Sequence, residues 1–175
     1  MLTEPTIIVV TGIQAAGKTT VARLLAARFA RGVHVEADAL QRMIVSGGEW
    51  VGEPGPPSPE AGRQLRLRLR NMCLLGKSFF DHGFSAVLDD IIIGERWDHL
   101  QEELQGYPFS LVVLAPQTNV VQDRDARRAK QPLGARWAEY LDAELRKTMA
   151  GIGVWIDSSN QKPAETVEAI LARIA

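Results

Sequence analysis

Five short apolar runs punctuate the chain, at residues 7–10, 33–35, 86–88, 111–114 and Val154–Ile156, each rich in aliphatic or β-branched side chains. Runs of this length without polar alternation are the pattern of strands covered on both faces. Between them the apolar residues recur at helical spacing. Residues 18–29 carry Val21, Leu24 and Leu25 on one face, residues 96–104 carry Trp97, Leu100 and Leu104, and residues 136–147 carry Trp137, Tyr140, Leu141 and Leu145. A last helix opens at Pro163, a residue suited to a first turn, and repeats Val167, Ile170, Leu171 and Ile174. Alternation of strand and helix predicts an α/β fold, with a five-stranded parallel sheet and helices on both faces.

One segment breaks the rhythm. Residues 46–60 read SGGEWVGEPGPPSPE, too dense in Gly and Pro for a regular helix or strand. Long loops inside compact domains are often functional, so a mobile substrate loop is favoured here over a passive insertion. The full 175 residues otherwise fit one domain.

Charge narrows the partners. A formal net charge of −1 gives no overall pull toward nucleic acid or an anionic membrane, so a nucleic-acid substrate is not expected. No apolar run approaches the length of a membrane span. Cys73 is the single cysteine and lies in the apolar run Met72-Cys73-Leu74-Leu75, the setting of a buried, inert thiol. His34, His82 and His99 are scattered, without neighbours at metal-ligand spacing. No basic region followed by an apolar stretch opens the chain, and a reduced, cytoplasmic location is the expectation.

The most specific chemistry lies in Gly12-Ile13-Gln14-Ala15-Ala16-Gly17-Lys18-Thr19, a full match to G-x-x-x-x-G-K-[ST]. It follows the first predicted strand and precedes a helical pattern, as the mechanism requires. Gly12 and Gly17 permit backbone angles that a side chain would block, so successive N–H groups can wrap nucleotide phosphates at the start of a helix. Lys18 is expected to reach the β- and γ-phosphates of ATP, Thr19 to hold Mg²⁺, and Thr20 to lie beside the nucleotide. ATP-versus-GTP preference is left open.

Ligands of open α/β sheets bind at the carboxyl ends of the strands, and three predicted ends carry acids. Asp89-Asp90 follows the third run; Asp89 is the candidate to complete the Mg²⁺ site through water, and Asp90 to orient the substrate. A loop-cap pair bonding backbone amides is the alternative. Asp38, after the second run, is a candidate general base for a substrate hydroxyl and equally a natural helix N-cap. Arg42 lies one turn later and either grips the substrate or is a solvated helix charge. Asp157 opens Asp157-Ser158-Ser159-Asn160, either beside the base or simply a turn.

Arg124, Arg127, Arg128 and Lys130 cluster after the fourth run, with Arg124 and Arg128 four residues apart on one helix face. Followed by Gln131-Pro132-Leu133-Gly134, the stretch suits a lid over ATP spanning residues 120–136, with these two arginines neutralising the transferred phosphoryl group. A solvated charge run is the alternative.

Taken together, G-I-Q-A-A-G-K-T at 12–19, V-E-A-D-A-L at 35–40, A-V-L-D-D-I-I-I-G at 86–94, Glu95-Arg96-Trp97 and Arg124-x-x-x-Arg128 resemble the chloramphenicol phosphotransferase-like family. That family belongs to the nucleoside-monophosphate-kinase-like P-loop kinases, and the likeness extends over essentially the whole chain. It implies a P-loop NTPase fold, phosphorylation of a small-molecule hydroxyl with ATP and Mg²⁺, Asp38 as base, Lys18 and Thr19 at the phosphates, and arginines of 124–128 in the lid. The chain departs from the family's pattern in its Pro- and Gly-rich loop, at Gln131 and at Arg42, so the acceptor (antibiotic, sugar or other metabolite) stays open. A polynucleotide 5′-kinase-like or zeta-toxin-like kinase is a second reading, and a non-catalytic nucleotide-binding switch a third. Oligomeric state is not legible.

Overall fold

The computed structural model describes residues 3–126 and 134–174. The order of elements is β1 (Ile7–Thr11), α1 (Lys18–Ala26), β2 (Gly32–Glu36), α2 (Ala37–Gln41), α3 (Pro59–Asp81), β3 (Ser85–Asp89), α4 (Glu95–Glu103), β4 (Phe109–Leu114), α5 (Thr118–Ala126), α6 (Ala135–Met149), β5 (Val154–Ile156) and α7 (Pro163–Ile174). All strand pairings are parallel, in the order β2-β3-β1-β4-β5. The α/β expectation and its five strands hold, each apolar run lying inside a strand that extends it by up to two residues. The sheet's middle is its driest part, with Ile7, Ile8, Val9 and Val10 all at 0% exposure, because helices cover both faces of a parallel sheet.

The structure departs from the sequence pattern at four points. The first helix buries Val21, Ala22, Leu25 and Ala26, while Leu24 stands 41% exposed, one position off the stripe predicted for it. Asp38 is not the N-cap of the short α2: Glu36 holds that position and no side chain caps the helix. Asp89 closes β3 rather than following it, paired with Val10 and Glu36. The largest omission is α3, at 23 residues the longest helix, whose buried face runs Ala61, Gln64, Arg68, Leu69, Met72, Cys73 and Gly76. Ser58 caps it by accepting a hydrogen bond from Ala61 N at 3.1 Å, with Pro59 in its first turn. Polar Gln64 and Arg68 on its inner face interrupt the apolar stripe that would otherwise announce it.

The segment preceding α3 is irregular as expected, and its base is tied down. Gln64 Nε2 donates to Gly47 O at 2.7 Å, and Gln64 Oε1 accepts from Glu49 N at 2.8 Å and from Gln41 Nε2 at 2.9 Å. Ser58 Oγ donates to Glu49 Oε2 at 2.8 Å. The last part of the predicted lid, residues 127–133 with Arg127, Arg128, Lys130 and Gln131, lies outside the described residues. Among the described residues no helix is long and apolar enough to cross a membrane.

Candidate active site

The switch in strand order puts β1 between β3 and β4, so the turn leaving β1 opens at the sheet's carboxyl edge. That turn is the Gly12–Thr19 loop. Gly12 has φ 145°, and a Cβ there would lie 2.4 Å from the carbonyl oxygen of Leu114 in the neighbouring β4, so any side chain would push the loop off the sheet. At the other end Gly17 precedes α1, no side chain caps that helix, and the space a Cβ would occupy is open. The N–H groups of Thr19 and Thr20 precede the first residue that has a carbonyl four back within the helix, so they are available to an anion. Lys18 arcs back across the loop and donates from Nζ to Ile13 O at 2.9 Å.

A cavity of about 880 Å³ opens over this loop. Gln14, Ala15, Gly17, Lys18, Thr19, Thr20 and Arg124 reach its lining, whereas the side chains of Ile13 and Ala16 are packed in the core. Arg124 lies beside the loop and donates from Nη2 to Ser158 O at 3.0 Å and from Nη1 to Ala16 O at 3.5 Å, spanning the loop and the turn after β5. Asp157 in that turn takes two hydrogen bonds from Ser159, side chain and backbone, which hold its carboxyl below the usual range. Turn chemistry accounts for it.

The acids of the strand ends separate into two roles. Asp89, 4% exposed, lines the cavity together with Thr19 and is bonded through Oδ2 to His34 Nε2 at 2.8 Å. His34 sits on β2, and nothing in its sequence neighbourhood marks it as the partner of an acid some fifty residues on. A hydroxyl and a carboxylate suit Mg²⁺, which keeps several waters and takes the rest of its shell from phosphate oxygens. Among the described residues no group of three or more His, Cys, Asp or Glu is placed to hold a metal ion.

Asp90 turns inward. Its Oδ1 accepts from Arg68 Nη2 at 2.7 Å and from Ile91 N at 2.8 Å, and its Oδ2 accepts from Arg96 Nη2. Arg68, itself 7% exposed, reaches on from Nη1 to Asp38 Oδ1 at 3.3 Å. A chain Arg96–Asp90–Arg68–Asp38 thus runs from the sheet edge into the cavity, ending on a carboxylate whose side chain is 48% exposed. Burial pulls the Arg96 guanidinium below its usual value, and the adjoining Asp90 opposes that shift. Arg42 goes elsewhere: it pairs with Glu36 at 3.0 Å, 49% exposed, and is not part of the cavity lining. Sequence reasoning passed over Arg68 with the helix that carries it. The signal was an arginine at a position that the α3 periodicity places indoors.

Away from the phosphate loop the cavity is walled by Trp50 and Val51 of the irregular segment, Leu65 of α3, and Trp137, Tyr140 and Leu141 of α6. Leu141 also packs into the core, with Ala138, Leu145 and Met149 on that helix, while Trp137 and Tyr140 are half-buried at the cavity.

A parallel five-stranded sheet carrying a phosphate-type loop beside strand-end acids defines a P-loop kinase fold. Solved structures with this fold include a sugar kinase from Janibacter sp. HTCC2649 (TM-score 0.71, 21% identity, covering 96% of this chain and 93% of that one). The tunicamycin resistance protein of Deinococcus radiodurans superposes with TM-score 0.68 at 20% identity, over 98% and 96% of the two chains. A gluconokinase from Sinorhizobium meliloti 1021 gives 0.63 at 21% identity, over 100% and 95%. No curated protein matches in sequence. The chain belongs to the chloramphenicol phosphotransferase-like family, whose model matches residues 5–175, and family and fold together support a phosphotransferase of the small-molecule kinase type.

Proposed function

We propose that the protein transfers the γ-phosphoryl group of ATP to a hydroxyl of a small molecule, with Asp38 as general base. The observation that carries this reading is that the phosphate loop and the exposed carboxylate of Asp38 open into one cavity. In this scheme the loop amides and Lys18 hold the β- and γ-phosphates, and Arg124 flanks the nucleotide from the α5 side. Thr19 and Asp89 would hold Mg²⁺, which would neutralise charge on the phosphates during transfer. Asp38 accepts the proton of the acceptor hydroxyl as its oxygen bonds to the γ-phosphorus and the bond to the β-phosphate oxygen breaks, leaving ADP and a phosphate ester.

Asp90 acts here as a positioning residue. It lines the cavity itself and also holds the Arg68 guanidinium that pairs with Asp38. The irregular segment covers the acceptor end, with Trp50 as its aromatic contact. Arg128 is proposed as the lid's second arginine, following the helical spacing from Arg124. The test is an ATP-consumption screen against hydroxyl-bearing antibiotics, sugars, nucleosides and RNA 5′ ends, with wild type and Asp38→Asn side by side. One acceptor that raises turnover in wild type alone supports the scheme. Equal slow hydrolysis in both proteins, whatever is added, sinks it in favour of a nucleotide switch.

A further inference from the structure

The backbone of Asp89 is held on both sides. It pairs in register with Val10 of β1 and Glu36 of β2, and just beyond it Ile92 N donates to Thr11 Oγ1 at 2.8 Å. One freedom is left to the side chain: the last torsion of an aspartate has broad wells, and the backbone does not set it. A carboxylate that must face a cation or its waters needs that rotation fixed by a neighbour.

His34 is such a neighbour. It pairs in register with Val87, two residues before Asp89, so the ring and the carboxylate share one face of the sheet. Nε2 meets Asp89 Oδ2 at 2.8 Å, and the two side chains are 16% and 5% exposed. An ionised carboxylate only accepts, so the ring nitrogen donates. Among the described residues Oδ1 of Asp89 accepts no hydrogen bond, yet it is not sealed from solvent, and Asp89 lines the cavity that Thr19 also lines.

The neighbouring acids of this sheet edge are engaged elsewhere. Glu36 pairs with Arg42 at 3.0 Å, and Asp90 has one oxygen on Arg68 and the other on Arg96. Asp89 differs from both: the protein grips one of its oxygens through a ring and leaves the other open.

We infer that His34 is the positioning residue of the metal site, its bond to Oδ2 turning the Asp89 carboxylate so that Oδ1 alone faces the cation and its waters. A single carboxylate oxygen is the contact that suits Mg²⁺, which keeps several of its waters. Removing an outer partner of this kind typically changes metal affinity by about 10–100-fold. The inference rests on the kinase reading for the presence of Mg²⁺ and on the His34–Asp89 contact for the positioning.

The experiment reads metal binding without any acceptor. AMP-PNP is titrated into the whole protein by calorimetry, once with Mg²⁺ and once with EDTA, and the ratio of the two affinities measures how strongly metal and nucleotide are coupled. His34→Leu is expected to lower that ratio by about 10–100-fold while metal-free binding stays put, since the loop amides need no histidine. His34→Gln, whose amide nitrogen stands where the ring Nε2 stood, should recover most of it; His34→Asn, a bond shorter, should not. Asp89→Asn should lower the ratio too, and the double variant with His34→Leu should be no worse than the more damaging single one, because His34 acts through Asp89.

An unchanged ratio in His34→Leu, a double loss equal to the product of the two singles, or a glutamine no better than leucine overturns the inference. So does wild-type protein that binds AMP-PNP equally with and without Mg²⁺. A fall in metal-free binding in step with the metal-bound form also overturns it, making His34 a prop of the fold. Should His34→Leu not fold, the glutamine and asparagine variants carry the same comparison. Coupling lost as expected, with no acceptor ever phosphorylated, would keep His34 and reject the kinase. Turnover by His34→Leu at the wild-type Mg²⁺ requirement would keep the kinase and reject the role of His34.

Discussion

The two ends of the cavity are built on different principles. The phosphate end is contiguous in sequence, made mostly of backbone, and placed by one strand-to-helix turn whose geometry is enforced by Gly12 against Leu114 O. The acceptor end is assembled from side chains of α2, α3, α4, α6 and the irregular segment, and its working parts are held by ion pairs and amide networks. Backbone N–H groups bind any triphosphate alike, so the first end can be shared among kinases of many specificities. Side chains arriving from distant elements can each be exchanged without disturbing the phosphate loop.

That contrast can be broken experimentally. The largest effect is expected at the junction. Asp38→Asn should lower kcat by ~10²–10⁴-fold while leaving ATP affinity, read by calorimetry, unchanged. Parallel loss of both would mean that the two ends are one unit. Next comes Asp90→Asn, which strands Arg68 and Arg96 with one shared carboxylate neutralised. Breaking a buried pair of this kind typically costs about 3–5 kcal/mol, to be read from urea unfolding, and an unmoved midpoint would strip the triad of its structural role. Gly12→Ala acts on the other end, where the strained backbone should cost about 1–3 kcal/mol and weaken ATP binding without altering acceptor preference. The smallest effect belongs to Arg42→Ala. Its exposed pair with Glu36 contributes under about 1 kcal/mol, and the KM for the acceptor should stay where it was; a large rise would restore Arg42 to the substrate site.

The same contrast explains what was legible beforehand. Strands buried on both faces are continuous apolar runs, so all five were visible, as was the loop that one of them launches. Asp38 and Asp89 were visible because strand ends are where an α/β sheet keeps its chemistry. Arg68, His34 and the Gln41–Gln64 pair were not, since their meaning comes from contacts across 22 to 55 residues of chain. The α3 helix escaped because its inner face carries Gln64 and Arg68, which blur the apolar period. The helix-cap explanation of Asp38 was reasonable from sequence and failed because α2 begins one residue earlier, leaving the carboxylate to Arg68.

The strand order also constrains how the chain is made. The central strand β1 is made before the other four strands, yet its neighbours are β3 and β4. At ordinary rates of synthesis its nearest partner follows about eighty residues and roughly 4–16 s later. For that interval four consecutive β-branched residues, Ile7-Ile8-Val9-Val10, have no native sheet to join. The exposed β1 stretch is thus a liability during synthesis, and crowded or chaperone-poor expression should reveal it as aggregation of the growing chain rather than as instability of the finished molecule.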